Sequence, residues 1–253
     1  MPDGSLAFAR QLDASKLNRF LTALPADALA LLAPQLRAVA LDRGTVLHDA
    51  GDEIEHVYFP HSGMVSLVAV MQSGATVETV TVGRGGVIGA TAGLGSRRAF
   101  GRAIVQLSGT AARIPWSQFR SAVKQSSTIH DLVVRHNDLL ITQIQQSVAC
   151  NALHMLEARL CRWLLQSHDC VDTNAVPLTQ EFLGQMLGVR RTTVTIAARL
   201  LQSAGMIRYR RGLVHILDRP ALEEIACECY AVVRHNIDQT FQPASAAGPN
   251  AKL

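Results

Sequence analysis

The residues of this 253-residue sequence whose types and spacing promise chemistry are arginines and threonines gathered in one stretch. Arg190, Arg191, Thr192, Thr193 and Thr195 follow Gly188-Val189, and Arg199, Arg208, Arg210 and Arg211 come soon after. From Gly188 to Leu217 there is no aspartate or glutamate, whereas cations and acids nearly balance in the rest of a chain of net charge +4. A guanidinium grips phosphate or reads a guanine edge with two parallel hydrogen bonds, and a threonine can touch a thymine methyl or a phosphate. A cation excess focused in this way is the footprint expected of a surface that meets nucleic acid. The alternative is a solvated basic face on a protein-binding module.

The elements that must position these groups are legible around them. Thr179 is suited to cap a helix, with Gln180 and Glu181 in its first turn and Leu178 and Leu183 placed to clip as a hydrophobic staple. Leu183, Met186 and Leu187 form one apolar face, Gly188 permits a sharp turn, and Val189 plugs the space between two helices. A second helix from about Arg191 to Ser203 turns Val194, Ala198 and Leu201 inward, which leaves Arg190, Arg191, Thr192 and Thr195 outward near its start. Met206 to Leu217 reads as a two-stranded wing that turns near Gly212. The expected contact set is Thr179, Gln180, Arg190, Arg191, Thr192, Thr193, Thr195, Arg199, Arg210 and Arg211.

Upstream the texture differs. Residues 14–38 read as helix, interrupted at Pro25 and ended near Pro34. From Val39 to about Pro115, short Val-, Ile-, Tyr- and Thr-rich runs alternate with glycine turns, a pattern of antiparallel strands in a barrel or double-sheet jelly roll. Ile129, Leu132, Val133, His136, Leu139, Leu140 and Ile144 then recur at helical spacing, and Leu153, Leu156, Leu160, Trp163 and Leu164 continue a second helical run. That stripe needs a partner, either the barrel or a second copy of the chain, and periodicity leaves both open. The organisation expected is residues 1–125 as a β domain with N-terminal helices, 126–170 as connecting helices, 171–237 as the basic helical domain and 238–253 as a disordered tail. Hydrophobic residues at 48% and charged residues at 17% supply a core and argue against wholesale disorder. The five cysteines, Cys150, Cys161, Cys170, Cys227 and Cys229, are odd in number and suit free thiols in a reducing cytoplasm. Met1 to Arg10 lacks the pattern of a signal peptide, and no uninterrupted apolar run of about 18 residues is present, so no membrane partner is expected.

Taken together, these features resemble the Crp/Fnr family of bacterial regulators over about residues 15–235. The matching pieces are Tyr58-Phe59-Pro60, Ser62-Gly63, the glycine-rich Val82 to Gly95 segment, Cys150-Asn151-Ala152-Leu153-His154, Glu157 with Arg159-Leu160, Arg162-Trp163-Leu164-Leu165, and the two-helix segment. The resemblance implies an α+β fold: an N-terminal antiparallel β-roll (a cyclic-nucleotide-binding-like jelly roll), a long dimerisation helix and a C-terminal winged helix-turn-helix. It implies a homodimeric, sequence-specific DNA-binding regulator, with double-stranded DNA, a second copy of the chain and RNA polymerase as partners. The dimer helix would present Ile129, Leu132, Val133, His136, Leu140 and Ile144. Arg191 aligns with the family's main base-reading arginine, Thr192 replaces its usual glutamate, and Ile196 stands where the prototype has a second arginine. Arg190 replaces the usual small polar cap residue.

The same family holds a cyclic nucleotide with a glutamate for the ribose and an arginine-serine pair for the phosphate. Here Ala90 follows Gly89 where the glutamate belongs, and no serine follows Arg102. Ordinary cyclic AMP binding is therefore not expected, and no cofactor is implied. Gly89, Ala90, Arg97, Arg98 and Arg102 are left either as a pocket for another anion or as glycine turns of a vestigial cassette. No metal site is expected from spacing: Cys227-x-Cys229, with Cys170 as a third candidate thiol, is a weak motif, and no spacing selects His56, His61, His136 or His154 as haem ligands. Paired catalytic carboxylates and a nucleophile elbow are lacking, so an enzyme is not expected. The competing function is a small-molecule or anion sensor that acts through protein partners.

Overall fold

The computed structural model describes residues 17–171 and 173–242. Two short helices, α1 (Arg19–Thr22) and α2 (Ala26–Leu32), open this region. The helical run expected over 14–38 is interrupted at Pro25, which takes an extended backbone as the cap of α2, and ends at Pro34 in a 3₁₀ turn, with Arg37 and Ala38 already in a strand. The part of that expectation before residue 17 lies outside the described residues. Seven strands follow: β1 (Arg37–Leu41), β2 (Val46–His48), β3 (His56–Pro60), β4 (Met64–Val70), β5 (Thr76–Val82), β6 (Arg102–Leu107) and β7 (Gly109–Pro115). They form two antiparallel sheets, ordered β1-β7-β3 and β2-β6-β4-β5. Val57, Phe59 and Ile114 of one sheet and Val65, Val80, Val82, Ala103 and Val105 of the other are buried, as alternation along strands requires.

Helix α3 (Trp116–Gln125) leads into the long α4 (Ser127–Leu153). Ser126 ends one and caps the other, its hydroxyl accepting from the Ile129 amide. At His154 and Met155 the backbone turns extended, and α5 (Leu156–His168) begins in a new direction. A third sheet, β8-β10-β9, is made of β8 (Ala175–Pro177), β9 (Ile207–Arg210) and β10 (Leu213–Ile216), and frames α6 (Gln180–Leu187) and α7 (Arg191–Ser203). Two further helices, α8 (Arg219–Ile225) and α9 (Cys229–Thr240), complete the described chain. Residues 238–241, expected to belong to a disordered tail, are ordered instead: α9 runs to Thr240, and Phe241 is buried against Phe20, with Arg19 bonded to Asp238 at 2.6 Å. Residues 243–253 lie outside the described part.

The two halves share one core. Met64, Val68 and Leu107 of the roll join Trp163 and Leu164 of α5 and Leu183, Met186 and Leu187 of α6. Trp163 is fully buried and donates its indole N–H to Glu78 of β5 at 2.9 Å, a carboxylate that also accepts from Thr81 and Ser66. A buried indole keeps its stabilising apolar contact only when its N–H finds such a partner. Among the described residues, no helix is long and apolar enough to cross a membrane.

Candidate nucleic-acid interface

The basic segment is held much as its residues require. The Thr179 hydroxyl accepts from the Phe182 amide at 3.2 Å and starts α6, with Leu178 and Leu183 both buried beside the cap. Gly188 ends α6 at φ 67°, a left-handed conformation that costs other residues energy. Gly184 matters for a second reason that the spacing did not reveal: a Cβ there would lie 2.9 Å from the Val189 carbonyl oxygen, so the turn closes over bare backbone. Helix α7 then buries Val194, Ala197, Ala198 and Leu201. Its other side exposes Arg190, Arg191, Thr192, Thr193 and Arg199, together with Ile196 and Leu200.

Two of the named side chains are tied to one another. Thr195 donates to Gln180 at 2.7 Å and to the Arg191 carbonyl at 3.0 Å, bracing the start of α7 against the start of α6. The wing is pinned by Tyr209, whose hydroxyl donates to the Leu178 carbonyl at 3.0 Å and whose amide donates to Gln202 at 2.9 Å. Its two-residue tip is Arg211-Gly212, with φ of 49° and 76°, a twist that suits a tight hairpin and points a cation from its end. Among the described residues, none of Arg190, Arg191, Arg199, Arg208, Arg210 and Arg211 forms an ion pair with an acid. The result is a helix presenting cations and hydroxyls at its N-terminal end, flanked by a cationic hairpin. That shape fits a duplex major groove with its bordering phosphates.

A match to the cyclic nucleotide-binding domain covers residues 38–126, and a match to the Crp-like helix-turn-helix domain covers residues 158–225. Both segments and their order are those of one regulator family. This chain belongs to the Crp/Fnr family of transcription regulators. It is thus a DNA-binding regulator of transcription rather than an enzyme. Solved structures share the fold. The structure of FixK2 from Bradyrhizobium japonicum is 13% identical with a TM-score of 0.65, covering 76% of this chain and 98% of that one. A Crp/Fnr regulator from Eubacterium rectale is 18% identical with a TM-score of 0.63, covering 81% and 95%. A CRP-family regulator from Thermus thermophilus is 22% identical with a TM-score of 0.59, covering 74% and 96%. No curated protein matches the sequence.

In this Crp/Fnr chain the cassette region is built differently from the basic helix. A cavity of about 720 Å³ opens between the roll and α4, lined by Gly89, Ala90, Leu94, Arg98, Phe100 and Ile141 among others. Arg102 does not line it. Its guanidinium is 2.6 Å from the Asp49 carboxylate, and Arg102 in turn holds that carboxyl below the usual range. Arg97 is 3.1 Å from Glu53 and stacks 4.5 Å from the Trp116 ring centroid. Of the three arginines, Arg98 is the one that reaches the cavity. The glycine turn beneath is fastened from inside: the Val87 amide donates to His136 Nε2 at 2.9 Å. Burial holds His136 down at about 4, so the imidazole is neutral and able to accept.

The dimer-helix residues require a correction. Ile129, Leu132, Val133 and His136 are fully buried within the protomer, against the roll and Phe20, because that side of α4 closes the core of the chain itself. Leu140 is half-buried, and Ile144 is exposed together with Ile141 and Val148. The histidines named as haem candidates do not converge. His61 and His136 each accept a backbone N–H, His56 lies near Tyr58, and His154 stands with thiols. The absence of a metal-spaced set in the sequence is likewise corrected by the fold, which gathers Cys150, His154, Cys227 and Cys229 at one point. Cys170 is elsewhere, against Gly83, and burial pushes it and Cys161 up to about 12, so both stay protonated.

Proposed function

We propose that the protein binds a palindromic duplex site as a homodimer in the cytoplasm, reading bases with the start of α7 and holding phosphates with the wing. The observation that carries this reading is the exposure of Arg190, Arg191 and Thr192 at the end of a helix whose opposite face is locked in the core. Free guanidinium groups near helix N-terminal amides suit phosphate and guanine together. Gln180 and Thr195 act as a brace that fixes the angle of α7 and leaves the reading to its neighbours.

The seam between protomers is the outer side of α4. Asn137, Ile141, Ile144, Val148 and Asn151 recur at alternating steps of four and three, the spacing of a coiled-coil seam, and the three apolar members are exposed in the single chain. A two-fold axis along that seam presents two copies of α7 to half-sites one helical turn apart. As a regulator of transcription, the dimer has RNA polymerase as its further partner.

Ordinary cyclic AMP is not the effector on this reading. Ala90 offers no acceptor for ribose hydroxyls, and Arg97 and Arg102 are already paired with acids. The cavity beside them is lined mainly by aliphatic side chains, so an effector seated there is a largely apolar molecule with at most one anionic group facing Arg98. Selection from randomised duplex DNA, with purified full-length protein, fixed salt and no added ligand, tests the whole reading. Enrichment of a palindrome is expected. Enrichment of a single unrepeated half-site would remove the dimer, and no enrichment would favour a sensor acting through a protein partner or an obligatory effector.

A further inference from the structure

Where α4 ends, four side chains from two distant stretches of chain converge. Cys150 lies in the last turn of α4, and His154 is the residue that terminates it. Cys227 lies between α8 and α9, and Cys229 is the first residue of α9. The three cysteines are buried and form a small cluster of their own, separate from the hydrophobic cores. Three thiols with so few apolar neighbours contribute little as core filler.

We infer that Cys150, His154, Cys227 and Cys229 bind a single thiophilic divalent cation, zinc by preference, which clamps the α4–α5 joint to the start of α9. The donor set is that of a closed structural zinc site, three sulfurs and one imidazole nitrogen. All four donor atoms lie within 4.8 Å of one another. The Cys150 and Cys227 sulfurs are 3.6 Å apart, and the Cys229 sulfur is 3.5 Å from His154 Nδ1. A tetrahedron with zinc–sulfur bonds of about 2.3 Å and a zinc–nitrogen bond of about 2.1 Å has edges of about 3.8 and about 3.6 Å. The observed pairs already stand near those edges. An iron–sulfur cluster would hold its ligands further apart, since several metal and sulfide atoms must fit between them.

The surroundings are those a metal site needs. His154 turns Nδ1 to the sulfurs, while its Nε2 is 3.1 Å from the Glu228 carboxylate. A carboxylate on the far nitrogen fixes the tautomer and strengthens the imidazole as a ligand. Gln146 donates an amide N–H to the Cys229 sulfur at 2.9 Å, as an outer partner of a thiolate would. Three thiolates around a divalent cation leave one excess negative charge. Arg159 and Arg162 lie within electrostatic reach of Cys150, and each keeps a buried Nε without a partner.

The position gives the site its purpose. The backbone leaves helical geometry at His154 and Met155, the joint between the long helix and the DNA-binding half. Cation binding fastens the end of α4, at that joint, to α9, whose far end is anchored in the roll through Phe241. Full-length protein purified under reducing conditions should carry one zinc per chain, and cobalt replacing it should give the intense visible absorption of tetrahedral thiolate coordination. Removing the metal with a chelator should lower the melting temperature. Glu228→Gln, an exposed change outside the donor set, should weaken the metal about 10–100-fold with the fold intact. Cys227→Ser combined with Cys229→Ser should lose the cobalt absorption, while Cys170→Ser should keep it. Absence of metal and of cobalt absorption in reduced wild-type protein would overturn the inference, whether or not the serine variants fold. So would full metal content in the double variant, or isolation of a metal-free Cys150–Cys227 disulfide.

Discussion

Two basic, glycine-bearing segments of this chain look alike as sequence and differ as structure. Residues 95–102 carry Arg97, Arg98 and Arg102 among glycines, and residues 188–212 carry Arg190, Arg191, Arg199, Arg208, Arg210 and Arg211 between glycines. In the first, Asp49 and Glu53 come from a neighbouring loop and neutralise two of three cations. In the second, no acid arrives, and the guanidinium groups stay exposed. A cation count therefore says little until the fold decides which cations meet an acid. Two cations of the first segment are tied down within the fold, Arg102 by Asp49 and Arg97 by Glu53 and Trp116. The second remains free to bind.

The largest effect expected from breaking this contrast is on stability. His136→Ala strands the buried Val87 amide and opens a void beneath the cassette turn, costing about 3 kcal/mol in denaturant melts. Base selectivity of the surviving folded protein should be unchanged. The same histidine sets a pH dependence. Because burial holds it at about 4, the unfolded chain, with an imidazole near 6.5, takes up the proton first. Stability should fall as pH drops from about 6.5 toward about 4 and be indifferent to this group above that window. A flat melting temperature across it would show that the imidazole is not held neutral.

Next in size, Arg191→Ala should lower affinity for the selected site by about 1–3 kcal/mol and relax base choice at one position. Unchanged affinity in competition binding would move the reading role to Arg190 or Thr192. Smaller again, Arg210→Ala and Arg211→Ala should each weaken all duplexes alike and reduce the slope of log affinity against log salt by about 1. The smallest effects belong to the first segment. Arg102→Ala should leave the DNA affinity and its salt slope unmoved, and added cyclic AMP should not shift the melting temperature. A clear shift with cyclic AMP would show that the cassette still works without its glutamate.

How far the sequence could be read depends on the range of the forces involved. The cap at Thr179, the turn at Gly188 and the inward stripe of α7 are local, set by residues three or four apart, and they stand as their spacing implies. The strands of the roll were legible from alternation for the same reason. The stripe of α4 was legible as a stripe but not as a surface with a partner. Ile129, Leu132, Val133 and His136 turn out to be buried within the protomer, and the exposed apolar side chains lie further along at Ile141, Ile144 and Val148. Helix periodicity gives the direction of an apolar face and cannot name what covers it.

The sequence by itself determined the order of elements and the acid-free basic segment, because each rests on neighbours along the chain. Tertiary structure alone decided which arginines are neutralised, which side of α4 is free, and that Cys150 and His154 meet Cys227 and Cys229 across more than seventy residues. Ion pairs, seams and ligand clusters are made by side chains that only folding brings within a few ångströms. No spacing rule reaches that far.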